Sequence, residues 1–211
     1  NNASAIIFDI DTFGGRVDAA TQIKDIILDS KVTTIAFINK RAISAGALIS
    51  LSCDSIFMTP GASIGAATAV DLQGNKASEK VISYMREEMA STAEANNRSR
   101  DIATAMVDEE LSIDFLLNIQ GDTLTAKNVD GFAEGKLITL STHLAVQLGI
   151  AGGEFGSIEE VLKYLELEDA EQKDMEESWS EKLVRFLTNP VVAPLFMSLG
   201  MLGLFMEIKS P

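Results

Sequence analysis

Ser44 has the sequence setting of a nucleophilic serine. It follows a predicted buried strand at 34–38 and opens a predicted helix of small residues at 44–52. The N–H groups in the first turn of a helix lack partners within the helix, so they point at whatever lies beside Ser44. One of them belongs to Ala45, the next residue. This pattern indicates acyl transfer, in which a hydroxyl attacks a carbonyl and N–H groups stabilise the oxyanion.

Gly14 and Gly15 supply the other predicted donors of an oxyanion hole. They follow the neighbouring predicted strand, and because they lack a Cβ their N–H groups can approach a substrate closely. Each donor in such a hole contributes about 3–4 kcal/mol in known sites. A purely structural interpretation is equally open, in which Ser44 caps its helix and the glycine pair forms a turn.

Lys80 is the candidate general base for the serine. A lysine can serve as a base where burial favours its neutral amine. Lys80 lies at the start of a predicted helix at 78–96, with Ser78 as the candidate N-cap, and the positive end of that helix also favours the neutral form. Lys76 is the rival, but its predicted loop leaves it solvated and charged. The alternative for Lys80 is an ordinary surface lysine.

The segment 61–65 (GASIG) offers a second serine, Ser63, in the G-x-S-x-G pattern. That pattern requires a strand that runs into the serine and a helix that leaves it. Here Pro60 and Gly61 interrupt the strand before Ser63. The base would be His143, which the sequence places on an amphipathic helix as a partly exposed structural residue. Ser44 is therefore favoured over Ser63.

Composition excludes several classes of protein. The chain has 211 residues with 17 basic and 31 acidic side chains, a formal net charge of −14 that argues against nucleic-acid binding. The single cysteine, Cys53, excludes an internal disulfide. With one histidine and one cysteine, the sequence has no C-x-x-C site and no site with two imidazole ligands. We expect neither a metal ion nor another cofactor.

The C-terminal part combines an acidic stretch with an apolar one. Residues 154–181 hold eleven acidic residues and two lysines, which favours a solvated connector over an acidic docking surface. Residues 186–206 carry no charge over 21 positions, and as a helix they would extend for about 31 Å, close to a bilayer core. We expect a membrane segment, with a buried core helix as the alternative. The flanking Arg185 and Lys209 do not set its orientation.

Alternating strands and helices must hold the candidate nucleophile in place. Apolar runs predict buried strands at 5–10, 34–38 and 55–58, and helical spacing predicts helices at 17–28 and 44–52. Strands and helices that alternate at this spacing indicate βαβ units and a parallel sheet.

Seven segments of the chain together carry a family resemblance. They are 9–18 (DIDTFGGRVD), 41–47 (RAISAGA), 59–66 (TPGASIGA), 106–108 (MVD), 135–140 (GKLITL), 147–150 (QLGI) and 189–211. In this order they resemble the membrane-bound ClpP-class serine proteases of the NfeD type, relatives of ClpP and of signal peptide peptidase SppA. The resemblance covers nearly the whole chain, and its last segment resembles the first membrane helix of the family. The combination is specific, although each motif alone is weak.

The resemblance implies an α/β fold of the ClpP/crotonase type, a spiral of ββα units, followed by an acidic connector and a hydrophobic C-terminal helix. It also implies a serine endopeptidase with a Ser–Lys dyad. In the family pattern Ser44 is the serine before Ala-Gly, Lys80 opens the long helix, and Gly14 and Gly15 are the glycine pair. ClpP itself has a histidine base about one strand after the serine, and 57–63 contains none.

The resemblance further implies partners and location. Family members cleave hydrophobic segments of membrane-associated proteins, notably the C-terminal region of a stomatin-like partner. We expect a homo-oligomer, dimer or larger, that is anchored in a membrane with its protease domain on the extracytoplasmic side. The expected boundaries are a protease domain at 1–167, a connector at 168–185 and a transmembrane helix at 186–208. The alternatives are a non-catalytic scaffold that binds a stomatin-like membrane protein and, ranked last, crotonase-type acyl-CoA chemistry.

The chain departs from the family pattern at few points. Phe13 replaces the proline usual before the glycine pair, which leaves both N–H donors in place. By the resemblance, we expect the family's opening strand, its later membrane helices and its OB-like domain to lie outside residues 1–211. Asp108 matches an acidic position near the site in relatives, and the sequence leaves its role open.

Overall fold

The computed structural model describes residues 3–71, 73–175, 178–189 and 191–209. The chain forms two compact units, Asn1–Glu168 and Asp169–Pro211. The candidate site residues all lie in the first unit.

A six-stranded, mostly parallel sheet forms the centre of the first unit. The strands of the unit are β1 (Ala5–Thr12), β2 (Thr33–Ile43), β3 (Ser55–Met58), β4 (Ser63–Gly65), β5 (Leu116–Leu117), β6 (Thr123–Leu124), β7 (Thr139–Ser141) and β8 (Gly153–Glu154). β2 is the central strand, because it pairs in parallel with β1 and also, at successive positions, with β3 and β4. β8 continues the parallel pairing beside β3, whereas β7 is antiparallel to β4. β5 and β6 form a separate short hairpin.

Helices cover both faces of this sheet. They are α1 (Val17–Leu28), α2 (Ala45–Ser52), α3 (Glu79–Ala95), α4 (Arg100–Ala105), α5 (Thr142–Gln147) and α6 (Ile158–Tyr164). Along β2, Ala36 and Ile38 belong to the main core, whereas Ile35 and Phe37 pack in a smaller cluster with Val161 of α6. Burial of both faces explains why the strand reads as a continuous apolar run and not as an alternating one.

The described residues of the second unit form two helices, α7 (Trp179–Leu187) and α8 (Val192–Lys209). The uncharged run expected as one helix from 186 is therefore divided, because 186 and 187 belong to α7 and α8 starts only at Val192. Pro190, expected near the start of the apolar helix, lies outside the described residues, as do Glu176 and Glu177 of the connector. α8 has 18 residues and a mean hydropathy of 1.5, so its length and composition suffice for a membrane crossing.

Arg98 joins three parts of the first unit through backbone carbonyls. Its guanidinium donates to the carbonyl oxygens of Leu51 at 3.0 Å, Cys53 at 2.9 Å, Asp54 at 3.1 Å and Ile150 at 3.1 Å. These carbonyls belong to the end of α2, the connection to β3 and the residues before β8. A planar fork with five donors suits such a cluster, which a lysine could satisfy only in part.

We expect Arg98→Met to lower the free energy of unfolding by about 3 kcal/mol or more, because it leaves several carbonyls without donors. Urea unfolding followed by circular dichroism measures the change. Arg100→Met is the matched control, since its side chain is exposed and pairs only with Glu87 and Glu94 among the residues described. The control should cost at most about 1 kcal/mol. Equal losses in the two variants would contradict the role given to Arg98.

Candidate active site

Ser44 occupies a strained turn between β2 and α2. Its φ of 57° and ψ of −118° are unusual for a residue with a side chain. The backbone N–H of Ser44 donates to the Gly65 carbonyl at 3.0 Å, which ties the turn to β4. A serine on a sharp turn from a strand to a helix is the geometry that exposes a nucleophilic hydroxyl.

The Ser44 side chain does not cap α2, although the residue stands at the N-cap position. Its hydroxyl makes no hydrogen bond to any residue that the structure describes, and the side chain is partly exposed. The capping interpretation left open by the sequence therefore loses its support. The strained backbone makes this position a candidate for a functional role.

Gly14 lies directly against Ser44. A Cβ built on Gly14 would come within 2.8 Å of the Ser44 Cβ and 3.2 Å of its Oγ. The φ of Gly14 is +126°, a region that residues with side chains rarely adopt. A glycine is therefore required here both for the backbone conformation and for the space beside the Ser44 side chain.

Gly14→Ala is expected to slow covalent labelling of Ser44 by a fluorophosphonate at least about 100-fold, because the added methyl displaces the serine side chain. It should also destabilise the chain by about 1–3 kcal/mol through backbone strain. Gly74→Ala is the matched control, since Gly74 also has a positive φ of +85° but a methyl group added there would meet open space. Wild-type labelling of Gly14→Ala would contradict the placement of Gly14.

Two backbone N–H groups beside Ser44 are available to a substrate. The amides of Gly15 and Ala45 donate to no described residue, and a Cβ built on Gly15 would lie 3.9 Å from the Ala45 Cβ. The Gly14 N–H is different, because it donates to the Thr12 hydroxyl at 3.1 Å. Thr12 is a residue that sequence reasoning missed, and only its side-chain contact reveals it. Among the described residues, two of the three predicted donors thus have no acceptor and the third is engaged.

Lys80 lies in the first turn of α3, and its side chain is exposed. Its ammonium makes no hydrogen bond or ion pair within the described part of the chain, so the structure does not join it to Ser44. Ser78 takes the N-cap position of α3 without a side-chain capping bond. The residues that the structure describes therefore leave the Lys80 side chain open to solvent.

The helices next to the two candidate residues are neighbours. α2, which follows Ser44, packs against α3, which contains Lys80, and the Asn96 side chain at the end of α3 donates to the Leu51 carbonyl near the end of α2 at 2.9 Å.

Lys76 is a poor base in this structure. It pairs with Glu109 at 3.2 Å and Glu110 at 3.7 Å. The hydrogen bond to Glu109 raises the pKa of the Lys76 ammonium, so this lysine stays protonated more firmly than an ordinary one. The sequence-based preference for Lys80 over Lys76 gains a physical reason.

The rival serine, Ser63, lacks the geometry of its pattern. It lies in β4, paired with Arg41 of β2 and Ser141 of β7, and no helix follows it directly in the described part of the chain. His143 is exposed on α5 and makes no hydrogen bond to Ser63. Cys53 does not compete either, because burial raises the pKa of its thiol to about 12.

Asp108 has a definite partner in the structure. It is buried, and its carboxylate forms an ion pair with the Arg86 guanidinium of α3 at 2.5 Å. The same Arg86 group contacts Glu79, the residue before Lys80, at 3.3 Å. Arg86 therefore links the first turn of α3 to the segment after α4.

The geometry defines an α/β protein with a strained serine, two free amides and an exposed lysine on a neighbouring helix. Residues 1–175 match the NfeD1b N-terminal domain family, so the chain belongs to that family. It is 39% identical over 210 residues to membrane protein NfeD1b of Bacillus subtilis, and 28% identical over 223 residues to membrane-bound protease PH1510 of Pyrococcus horikoshii. The family prediction made from the sequence is confirmed.

The matches cover the chain fully but its relatives only in part. All of this chain aligns with each relative, whereas it spans 45% and 47% of their lengths. A solved structure, the 1510-N membrane protease specific for a stomatin homolog from Pyrococcus horikoshii, superposes with a TM-score of 0.58 at 25% identity. That match covers 89% of this chain and 84% of the other. The predicted fold class is confirmed as well.

Proposed function

We propose that this chain is the catalytic part of a membrane-anchored serine endopeptidase. The observation that carries the proposal is the Ser44 hydroxyl, held on a strained strand-to-helix turn and without a capping bond. The free amides of Gly15 and Ala45 stand beside it. A purely structural turn has no need of either feature.

The reaction uses Ser44 as the nucleophile and Lys80 as the general base. The neutral amine of Lys80 takes the proton from Ser44 Oγ while the oxygen attacks the carbonyl carbon of the scissile peptide bond. The Gly15 and Ala45 N–H groups donate to the oxyanion of the tetrahedral intermediate. The lysine then returns its proton to the leaving amine, and water hydrolyses the acyl-enzyme by the same route.

The exposed position of Lys80 sets a condition on this mechanism. A lysine serves as a base where it is shielded from water, so a bound substrate or a second copy of the chain must cover the exposed Lys80 before it can act. A homo-oligomer would provide such a cover, and we propose a dimer or larger assembly. We also propose that the protease domain ends near residue 167 and that the acidic connector ends near residue 185.

The proposed substrate is an apolar segment of a stomatin-like membrane protein. PH1510 is named a membrane-bound protease, and 1510-N a membrane protease specific for a stomatin homolog. The apolar helix α8 would anchor this chain beside such a substrate, with the protease unit on the extracytoplasmic side. The competing function is a scaffold that binds the same partner without cleaving it, and the observation in its favour is the exposed Lys80, unpaired among the described residues.

Covalent labelling distinguishes the two functions. The full chain in detergent is incubated with a peptidyl phosphonate, and intact mass and peptide mapping locate the adduct. We expect one adduct, on Ser44. A folded, oligomeric protein that takes no label would favour the scaffold. Labelling at Ser63 would instead transfer the active site to the G-x-S-x-G segment.

A further inference from the structure

A cationic cluster lies next to the nucleophile, at an irregularity in the central strand pair. Ile10 of β1 pairs with Ile38 of β2, but Thr12 pairs with Ala42. Asp11 alone therefore stands opposite the three residues 39–41. A bulge of this kind twists the strand and re-aims its side chains, and such irregularities are common beside active sites.

The bulge borders a cleft of about 520 Å³ whose lining includes Phe13, Lys40, Arg41 and Ile43. Phe13 directly precedes Gly14, and Ile43 directly precedes Ser44. The cleft is thus directly adjacent to the proposed site residues Gly14 and Ser44. A peptide whose carbonyl reaches Ser44 would pass the cleft with a neighbouring residue.

Arg41 has two neighbours within this cleft. Its Nε forms an ion pair with the Asp11 carboxylate at 2.9 Å, and the Phe13 ring lies over the guanidinium with its centroid 4.4 Å from Cζ. The two terminal Nη groups have no hydrogen bond to any residue that the structure describes. The carboxylate and the ring therefore contact one side of the guanidinium while its Nη groups remain open, an arrangement suited to a bidentate carboxylate.

The local charge favours an anion. Lys40 Nζ is 3.8 Å from Asp11 and mostly exposed, so two cations share a single carboxylate. This local excess of positive charge occurs in a chain whose net charge is −14. The two cations lie at the proposed substrate path.

We propose that Arg41, supported by Lys40, binds a carboxylate of the peptide substrate and thereby sets which peptides reach Ser44. Two sources present this chemistry, namely the side chain of an Asp or Glu near the scissile bond and a free C-terminal carboxylate. The inference deepens the proposed endopeptidase function and rests on it. Asp11 and Phe13 are positioning residues that act through Arg41.

Peptide binding tests the proposal without requiring catalysis. The Ser44→Ala chain is titrated against fluorescein-labelled ten-residue peptides of Ala, Leu and Val, followed by fluorescence anisotropy. One set carries a single Glu at each position in turn, and a second set carries Gln at the same positions. The peptides of these two sets are C-terminally amidated. A third peptide has no acidic side chain and is compared as free acid and as amide.

We expect the best Glu peptide, or the free-acid form of the third peptide, to bind about tenfold tighter than its neutral twin. Arg41→Met in the Ser44→Ala background should abolish the difference, and Arg41→Lys should restore only part of it because lysine lacks the fork. Arg100→Gln, an exposed arginine paired with Glu87 and Glu94, is the control and should keep the full preference. Circular dichroism verifies that each variant is folded.

The outcomes separate this inference from the proposed activity. Equal binding of charged and neutral twins at every position, or a preference that survives Arg41→Met, would overturn carboxylate recognition even if wild-type chain cleaves peptides. A preference that depends on Arg41 supports the inference even if phosphonate labelling fails, and that failure would count against the activity alone. The set that shows the preference identifies the source of the carboxylate.

Discussion

Ser44→Ala is expected to reduce hydrolysis of an apolar peptide by about 10³-fold or more, since the variant lacks the oxygen that forms the acyl-enzyme. The fold should survive, because the Ser44 hydroxyl makes no bond that holds α2 or its neighbours among the described residues. The substitution does not relieve the backbone strain at position 44, because alanine also disfavours a φ of 57°. We therefore expect an inactive protein with nearly unchanged stability, measured by peptide cleavage and urea unfolding.

Two further serine variants sharpen this test. Ser63→Ala addresses the rival serine and should leave phosphonate labelling on Ser44. Ser91→Ala, at an exposed position of α3, controls for the loss of a hydroxyl. Retained cleavage in Ser44→Ala would remove the proposed mechanism. A large loss of stability in that variant would mean that Ser44 has a structural role after all.

Lys80→Met is expected to lower the rate of peptide hydrolysis by about 10²–10⁴-fold, the range typical for loss of a general base. Lys80→Arg should be as inactive as Lys80→Met, because a guanidinium keeps the charge but does not give up its proton. This pair of variants separates a base from a cation that merely attracts the substrate. Stability should barely change, since the Lys80 side chain is exposed and unpaired among the described residues.

The pH dependence provides an independent check on Lys80. Only the neutral amine accepts a proton, so the rate should rise with pH in the wild-type chain. Lys76→Met is the control, because Lys76 is engaged with Glu109 and should not contribute to catalysis. A rate already maximal near about pH 5 would contradict a lysine base. So would full activity in Lys80→Arg.

Much of the architecture could be predicted from local patterns. Helix α1 at Val17–Leu28 and strand β3 at Ser55–Met58 have the predicted bounds, because apolar spacing directly reflects which face is buried. The short strands β4 and β8 were not predicted. They contain three and two residues, too few for a periodic signal, and they exist because neighbouring strands offer open edges.

The division of the apolar tail shows a similar limit. Residues 186–206 read as one uncharged segment, but α7 ends at Leu187 and α8 begins at Val192. Composition shows whether a segment is apolar along its length. The break between α7 and α8 depends instead on the local backbone geometry. The length and composition that suffice for a membrane crossing therefore belong to α8 and not to the whole run.

The sequence by itself determined the family, the α/β fold and the candidates Ser44, Gly14 and Gly15, because their order along the chain reflects the strand–turn–helix succession that positions them. Tertiary structure alone decided that Ser44 does not cap α2, that Thr12 engages the Gly14 amide, and that Lys80 is exposed. It also placed Asp11 and Phe13 around Arg41. These last features depend on contacts between separate strands and helices, and no pattern within one segment contains that information.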